Sequence, residues 1–177
     1  MQDRIEKVLE SFNYPKPGLA RVAGNDVYFA PGVYDRLQLD GATRQAVMDA
    51  ILSEPGVAAV YPAEALEDRP ATQSPYRKAF AFSYFPGRSG DLFILQKPYW
   101  LLDYAPLGKG RETGTGHGSA YYYDQHVPIL FMGFGIQPGE YHGDATPADI
   151  APTLASLCGI TLASRDGHSL GQAFRRP

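Results

Sequence analysis

The residues best suited to chemistry lie in a short glycine-rich segment, with the sequence GTGHGS at positions 114–119. His117 has a glycine on each side, so the backbone can approach a ligand closely and the imidazole can project freely. Neutral imidazole is also the commonest transition-metal ligand in proteins. The segment therefore indicates metal binding by His117, although a histidine in a glycine-rich loop is more often simply solvated.

Three other functions of such a loop conflict with its residue types. A phosphate-binding loop would continue into Gly-Lys-Ser or Gly-Lys-Thr, and this one does not. A nucleophile elbow would carry glycines two residues before and after its serine, and Ser119 lacks both. A dinucleotide-binding fingerprint would open a helix, and no helical pattern follows. Metal binding is the chemical function that fits the residues.

Several polar residues outside the loop have both a structural and a functional interpretation. Asp124 and His126 are candidates to orient the metal ligand through hydrogen bonds, and His126 also fits the start of a strand. His142 and His168 are typical of a solvated loop and a structural turn, respectively. Asp149 lies in the first turn of a predicted helix, where a carboxylate stabilises the helix dipole.

Aromatic and basic side chains complete the set of candidates. The tyrosines at 121–123 either pack beneath the glycine-rich loop or stack on a substrate base. Arg88 and Lys97 have the charge to contact a phosphate, but such side chains near turns are usually solvated. None of these residues identifies a ligand by itself.

The first hundred residues, which must help to position the loop, predict a small α+β layer. Helical periodicity indicates helices at 3–12 and 42–53, and Ser74 followed by proline starts a third helix that ends near residue 84. Short apolar runs indicate strands at 19–23, 27–30, 57–61 and 91–96. This order describes an antiparallel sheet that helices cover on one side.

The character of the chain changes near residue 103. The run VPILFM at 127–132 is apolar at every position, which predicts a strand buried on both faces, as in a parallel sheet. Residues 103–177 contain only this strand and one good helix, at 147–157. Partner strands must therefore come from another copy of the chain or from the rest of a larger protein. We expect residues 1–102 to form an inserted or capping subdomain and 103–177 to belong to a core.

Composition excludes several classes of protein. A hydrophobic content of 44% and a charged content of 20% are typical of a globular protein. The net charge of -3 argues against a nucleic-acid binder and against a polybasic membrane anchor. Cys158 is the only cysteine, which excludes an intrachain disulfide and a cysteine-based zinc site. No apolar segment approaches the length of a membrane span.

In their order along the chain, these motifs resemble the C-terminal metal motif of the alkaline phosphatase superfamily. The resemblance begins at 114–118 and continues through Tyr123 and Asp124 into VPILF at 127–131. Further similar segments are RSGDL at 88–92, DIAPTLA at 149–155, CGI at 158–160 and DGHSL at 166–170. The whole resemblance covers 88–170, and it looks most like the single-chain alkaline phosphatases and the type I phosphodiesterase–nucleotide pyrophosphatase group.

The resemblance implies a fold and a cofactor. The fold would be α/β, comprising the C-terminal portion of an alkaline-phosphatase-like α/β/α sandwich and a small α+β subdomain with an antiparallel sheet. Two zinc ions would act in the whole protein, and His117 would bind one of them. The residues that shape the metal loop around it would be Gly114, Thr115, Gly116 and Gly118. A zinc site needs three or four protein ligands, so the other ligands and the nucleophile are expected in an N-terminal catalytic portion.

The function implied for the whole protein is zinc-dependent hydrolysis of phosphate monoesters or diesters. We expect no catalytic residue in this chain, no activity from it alone, and self-association through 127–132. The resemblance also implies a periplasmic or secreted protein, and the mild net charge of -3 argues against a nucleic-acid polymer as partner. Two alternatives stay open. One is a complete small module for binding or dimerisation, and the other is a sulfatase or phosphomutase relative, which the nucleophile (Thr, Ser or a modified Cys) would distinguish.

Overall fold

The computed structural model describes residues 1–67, 74–101, 116–163 and 166–175. The chain divides into two compact units, Met1–His126 and Val127–Pro177. Helices combine with an antiparallel sheet, as predicted. The predicted boundary between residues 102 and 103 lies outside the described residues and stays a prediction, and the described residues 116–126 belong to the first unit.

A four-stranded sheet organises the first unit. Its strands are β1 (Leu19–Ala23), β2 (Asp26–Phe29), β3 (Val57–Pro62) and β4 (Leu92–Gln96). The order across the sheet is β1-β2-β4-β3, and every neighbouring pair is antiparallel. Every residue of β4 is buried, and because side chains alternate between the faces of a sheet, both faces of this strand must be covered. The end of β4, at Gln96, is the part of the sheet that matters for the site.

Six helices accompany the sheet in the described part of the first unit. They are α1 (Gln2–Ser11), α2 (Val33–Leu39), α3 (Gly41–Leu52), α4 (Glu64–Glu67), α5 (Pro75–Ser83) and α6 (Tyr122–Gln125). In α1, Ile5 and Leu9 are fully buried, as the helical spacing predicts. The Asp40 carboxylate caps α3 by accepting a hydrogen bond from the Thr43 N–H at 3.1 Å. Three of the helices, α2, α4 and α6, were not predicted from the sequence.

The predicted strand at 127–132 is wrong for this chain, because the structure assigns no strand there. The residues are mostly exposed instead of buried: Leu130 is 89% exposed and Met132 is 99% exposed. A strand requires backbone partners, and the described residues of the second unit provide no strand to pair with it. Among the residues that the structure describes, the apolar run thus lacks the neighbouring strands that its composition requires.

The second unit is organised around Asp149, which precedes the helix α7 (Ile150–Leu157). Its side chain is 1% exposed. The carboxylate accepts hydrogen bonds from the N–H groups of Thr146, at 2.7 Å, and His168, at 2.8 Å. The His168 Nδ1 also lies 2.9 Å from the carboxylate. Asp149 therefore joins the start of α7 to the closing loop at His168, and both residues have the structural roles that the sequence favours.

Replacement of Asp149 by asparagine should loosen α7. Hydrogen bonds, first from the His168 N–H and then from the Thr146 N–H, hold the pKa of Asp149 below its usual range. A depressed folded pKa means that the carboxylate stabilises the fold above its unfolded pKa of about 3.9, and that this contribution disappears as the pH falls through the folded pKa. Hydrogen exchange of the α7 peptide should be faster in Asp149→Asn than in the unchanged chain at pH 7. This difference between the two proteins should shrink as the pH falls through the folded pKa of Asp149. Asp144→Asn, at an exposed loop carboxylate, is the control; equal protection in both variants at pH 7 would contradict the role of Asp149.

Candidate functional site

His117 lies on an exposed loop of the first unit, close to the end of β4. The predicted loop residues Gly114 and Thr115 lie outside the described residues, whereas Gly116 and Gly118 are described and exposed. Gly118 has a φ of 106°, in a region that favours glycine, so the chain turns there immediately after the imidazole. The structure therefore leaves the His117 side chain accessible, as a metal ligand requires.

Two amide side chains anchor this loop to the sheet. The Asn25 Nδ2 donates a hydrogen bond to the Gly118 carbonyl at 2.9 Å, across 93 positions of sequence. The Gln96 Nε2 in turn donates to the Asn25 Oδ1. The buried Tyr121 adds a third connection, because its hydroxyl donates to the Gln96 carbonyl at 2.8 Å. The position of the backbone beside His117 is thus set by the end of β4.

The side chain of Asp124, which lies in α6, also holds the glycine-rich loop in place. Its carboxylate accepts a hydrogen bond from the Ser119 N–H at 2.8 Å. The pKa of Asp124 lies below its usual range, chiefly because Ser119 hydrogen-bonds to the carboxylate through its hydroxyl and its N–H. His117 lowers this pKa further through its charge. The structure therefore brings Asp124 and His117 together, as expected of a carboxylate that orients the imidazole, and this role stays a prediction.

His126, the second residue predicted to orient the ligand, lies at the end of α6. Its ring stacks on that of Tyr122, with 5.1 Å between the centroids. Both side chains are exposed. The structure thus shows a contact of His126 with an aromatic ring, and its predicted role towards the metal stays a prediction.

A cavity of about 260 Å³ opens beside His117. Tyr99, Trp100 and Tyr123 supply its aromatic walls, with Leu101 beside them. Its polar lining comes from Gln96, His117, Ser119 and Asp124. The cavity combines apolar surface with a few convergent polar groups, a combination typical of small-molecule sites.

The three consecutive tyrosines have different environments, so the two roles considered for them, packing beneath the loop and stacking on a ligand, belong to different residues. Tyr121 is buried beneath the loop and packs in the core of the first unit. Tyr123 lines the cavity and stacks on Tyr99, with 4.7 Å between the ring centroids and an interplanar angle of 14°. Its hydroxyl also accepts a hydrogen bond from the Tyr99 N–H at 2.9 Å. The packing role belongs to Tyr121, and Tyr123 has the position from which a ring can contact a ligand.

The donor set around His117 fits one part of a metal site. Within residues 1–67, 74–101, 116–163 and 166–175, no three His, Cys, Asp or Glu side chains are grouped so that they could hold a metal ion. A zinc ion needs three or four protein ligands. An accessible imidazole with a carboxylate close to it is suitable as one ligand and its support. The chemistry of these residues thus fits a metal whose other ligands lie outside the described residues.

Other sequence candidates are placed away from this cavity. The Arg88 guanidinium lies over the Phe85 ring, 4.6 Å from its centroid, and Lys97 is exposed. His142 is exposed in a loop of the second unit. Five residues of the site were not predicted from the sequence, namely Asn25, Gln96, Tyr99, Trp100 and Leu101. Of these, only Tyr99 and Trp100 carried a signal, as aromatic residues a few positions after a predicted strand.

Comparison with known proteins shows that the chain is similar to several alkaline phosphatases. It is 33% identical to the alkaline phosphatase PafA of Elizabethkingia meningoseptica over 82% of the chain and 26% of that protein. It is 39% identical to the alkaline phosphatase PhoV of Synechococcus elongatus over 44% of the chain and 13% of that protein. For the alkaline phosphatase PhoD of Zymomonas mobilis, the identity is 37% over 67% of the chain and 21% of the relative.

A solved structure extends this similarity to the fold. The crystal structure of wild-type alkaline phosphatase PafA matches with a TM-score of 0.75 and 28% identity, over 98% of this chain and 32% of the PafA chain. No family model matches the sequence. No helix in the described part of the chain is long and apolar enough to cross a bilayer.

The chain spans about a quarter of the length of PafA in sequence and about a third in structure. The sequence motifs and the fold agree on one group of proteins. The chain belongs to the alkaline phosphatase superfamily, and it corresponds to a C-terminal part of such a protein.

Proposed function

We propose that the whole protein is a zinc-dependent hydrolase of phosphate monoesters or diesters, and that this chain contributes His117 as a ligand to one of two zinc ions. The observation that carries the proposal is the accessible imidazole of His117 on a loop that two hydrogen bonds anchor directly after it. Asn25 holds the Gly118 carbonyl, and Asp124 holds the Ser119 N–H. Membership of the alkaline phosphatase superfamily supports the reaction class.

The chain's own contribution is to place one imidazole accurately. Metal ligands work best when hydrogen bonds fix their orientation before the metal binds. The Asn25 amide fixes the backbone after His117, and the Asp124 carboxylate lies near the ring. The paired zinc ions, when bound, would stabilise the attacking and leaving oxygens of phosphoryl transfer. The chain alone holds too few of the required ligands in its described part, so we expect it to be inactive by itself.

Metal removal tests this proposal. The intact protein should hydrolyse 4-nitrophenyl phosphate, lose nearly all of this activity after treatment with a zinc chelator, and regain it with zinc. The 177-residue chain, measured beside it at equal concentration, should show no activity with or without zinc. Hydrolysis that persists in the chelated, zinc-free protein, or a failure of the intact protein to hydrolyse any phosphate ester, would contradict the proposal.

We propose in addition that the whole protein is exported to the periplasm or secreted, which fractionation of the producing cells would test. A sulfatase or phosphomutase relative is the competing assignment within the superfamily. It predicts sulfate ester hydrolysis or phosphate transfer within one substrate in place of phosphate release. Measurement of released phosphate and sulfate from matched 4-nitrophenyl esters distinguishes these activities.

A further inference from the structure

We infer that Asn25 is a positioning residue for the proposed metal site. Its side chain holds the backbone directly after His117, and it thereby sets how tightly one zinc ion is bound. This role rests on the proposed function, because it requires zinc at His117. It adds that the antiparallel sheet of the first unit, and not the metal loop alone, determines whether zinc is retained.

Asn25 lies in the two-residue turn that joins β1 to β2. The residue before it, Gly24, has a φ of 59°, in the region that favours glycine, so the chain can reverse within two residues. The Asn25 carbonyl accepts a hydrogen bond from the Ile94 N–H of β4 at 2.8 Å. The turn is therefore joined to a strand that has a neighbour on each side, which gives the Asn25 side chain a fixed base.

Both ends of the Asn25 side-chain amide are occupied. The Gly118 carbonyl can only accept a hydrogen bond, so the Asn25 Nδ2 must face it, at 2.9 Å. The Asn25 Oδ1 then accepts a hydrogen bond from the Gln96 Nε2. Gln96 is only 8% exposed, and its carbonyl accepts from the Tyr121 hydroxyl at 2.8 Å. The Asn25 amide thus cannot rotate without breaking one of its two hydrogen bonds.

Side chains fix both polar groups of the Gly118–Ser119 peptide bond. Asn25 holds the carbonyl, and the Asp124 carboxylate accepts a hydrogen bond from the N–H at 2.8 Å. Because a peptide bond is planar, contacts at its two polar groups define the orientation of the whole unit. Without them, the glycine would allow many backbone conformations. His117 directly precedes this glycine, so the direction of its side chain depends on these contacts.

The orientation of His117 matters because metal ligands bind best when they are held in place before the metal arrives. His117 is exposed, so the packing of its own ring contributes little to this orientation. Loss of groups that orient a metal ligand typically costs about 10–100-fold in metal affinity or activity. Asn25 acts through the backbone and not on the ring, so we expect the lower end of that range, about tenfold.

Asn25→Ala in the intact protein should raise, by about tenfold, the free zinc concentration at which one of the two zinc ions is half-bound. Atomic spectroscopy at chelator-buffered zinc concentrations measures this zinc midpoint directly. The kcat/KM of the unchanged protein should return at saturating zinc, because the substitution leaves every zinc ligand in place. An unchanged midpoint would overturn the positioning role, and so would a loss of kcat/KM that saturating zinc does not restore.

Val22→Ala is the control for general destabilisation of the same hairpin. Val22 lies in β1, is 7% exposed and packs in the core of the first unit, but it has no polar atom to offer the loop. This variant should lower the melting temperature and leave the zinc midpoint unchanged. If Val22→Ala shifts the midpoint as far as Asn25→Ala does, the loss of zinc reflects stability alone, and the positioning role is rejected.

Gln96 tests the path from the sheet to the loop. Gln96→Met keeps the length of the side chain and removes the amide that holds the Asn25 Oδ1, so it should shift the zinc midpoint in the same direction by a smaller factor. The double variant Asn25→Ala/Gln96→Met should have the midpoint of Asn25→Ala, because side chains that act through one contact are not additive. A larger shift in the double variant would contradict this path.

If Asn25→Ala does not fold, the unchanged intact protein still decides the matter, because coupling between two sites is reciprocal. Zinc should slow hydrogen exchange more at the turn, residues 24–26, than at β3, which lies on the other side of β4 from β2. An equal effect of zinc on the turn and on β3 would overturn the positioning role.

His117→Ala separates a failure of this role from a failure of the proposed function. If His117→Ala releases a zinc ion and Asn25→Ala does not shift the zinc midpoint, the positioning role is rejected and the proposed function stands. If His117→Ala leaves the zinc content unchanged, the assignment of the ligand fails, and the role of Asn25 fails with it.

Discussion

Replacement of His117 by alanine in the intact protein should lower kcat/KM for phosphate esters by at least about 100-fold. Loss of residues that merely orient a metal ligand typically costs 10–100-fold in metal affinity or activity, and loss of the ligand itself should cost more. The bound zinc measured by atomic spectroscopy should fall in parallel. The physical reason is that a zinc ion held by three or four protein groups loses one of them outright.

The matched control for this substitution is His142→Ala. His142 is also exposed in a loop, but it belongs to the second unit and does not line the cavity. This variant should retain both zinc and activity. An unchanged zinc content in His117→Ala would refute the assignment of the ligand, whatever the effect on activity.

The second large effect concerns the apolar run at 127–132. In the isolated chain, Leu130 and Met132 are almost completely exposed, and Phe134 just beyond the run is fully exposed. Removing a Leu or Met side chain from water contributes about 1.5–3 kcal/mol, so several such residues together drive association. Sedimentation velocity should show that the chain self-associates as its concentration rises. The double variant Leu130→Lys/Met132→Lys should remain monomeric, because association would bury two charges.

Leu39→Lys is the control for added charge alone, since Leu39 is 91% exposed and lies on α2 in the first unit. This variant should associate like the unchanged chain. In the intact protein, Leu130→Lys/Met132→Lys should prevent folding or abolish activity, because the missing partner strands would then have to bury lysine. A chain that stays monomeric at high concentration would contradict the need for partner strands. A tight dimer that is indifferent to zinc, with no phosphatase activity in the intact protein, would instead favour a dimerisation module.

Local patterns predicted much of the first unit. The spacing of Ile5 and Leu9 predicted α1, and Asp40 and Ser74 were correctly identified as the residues that cap α3 and α5. Helix α2 was missed although three of its residues, Val33, Tyr34 and Leu37, are buried at helical spacing. Its seven residues directly precede α3, and so short a segment gives a periodic signal too weak to separate from a loop.

Tertiary contacts explain what the sequence could not predict. Asn25 looked like an ordinary turn residue, yet its side chain binds Gly118, 93 positions later. Gln96 looked like the polar end of a strand, and only the network through Asn25 shows that its oxygen lacks a partner. The run at 127–132 shows that a strong sequence signal can also mislead. Its composition predicts burial in a sheet, but pairing depends on neighbours that the described part of the chain does not supply.

The most direct test of the central claim is the position of the His117 ring relative to zinc in the intact protein. A crystal structure with anomalous diffraction at the zinc absorption edge would locate the metal ions without assumptions about their ligands. We expect a zinc ion about 2.0–2.1 Å from a ring nitrogen of His117, the normal distance for zinc bound to histidine. Zinc ions fully coordinated by other residues, with the His117 ring directed into solvent, would contradict it.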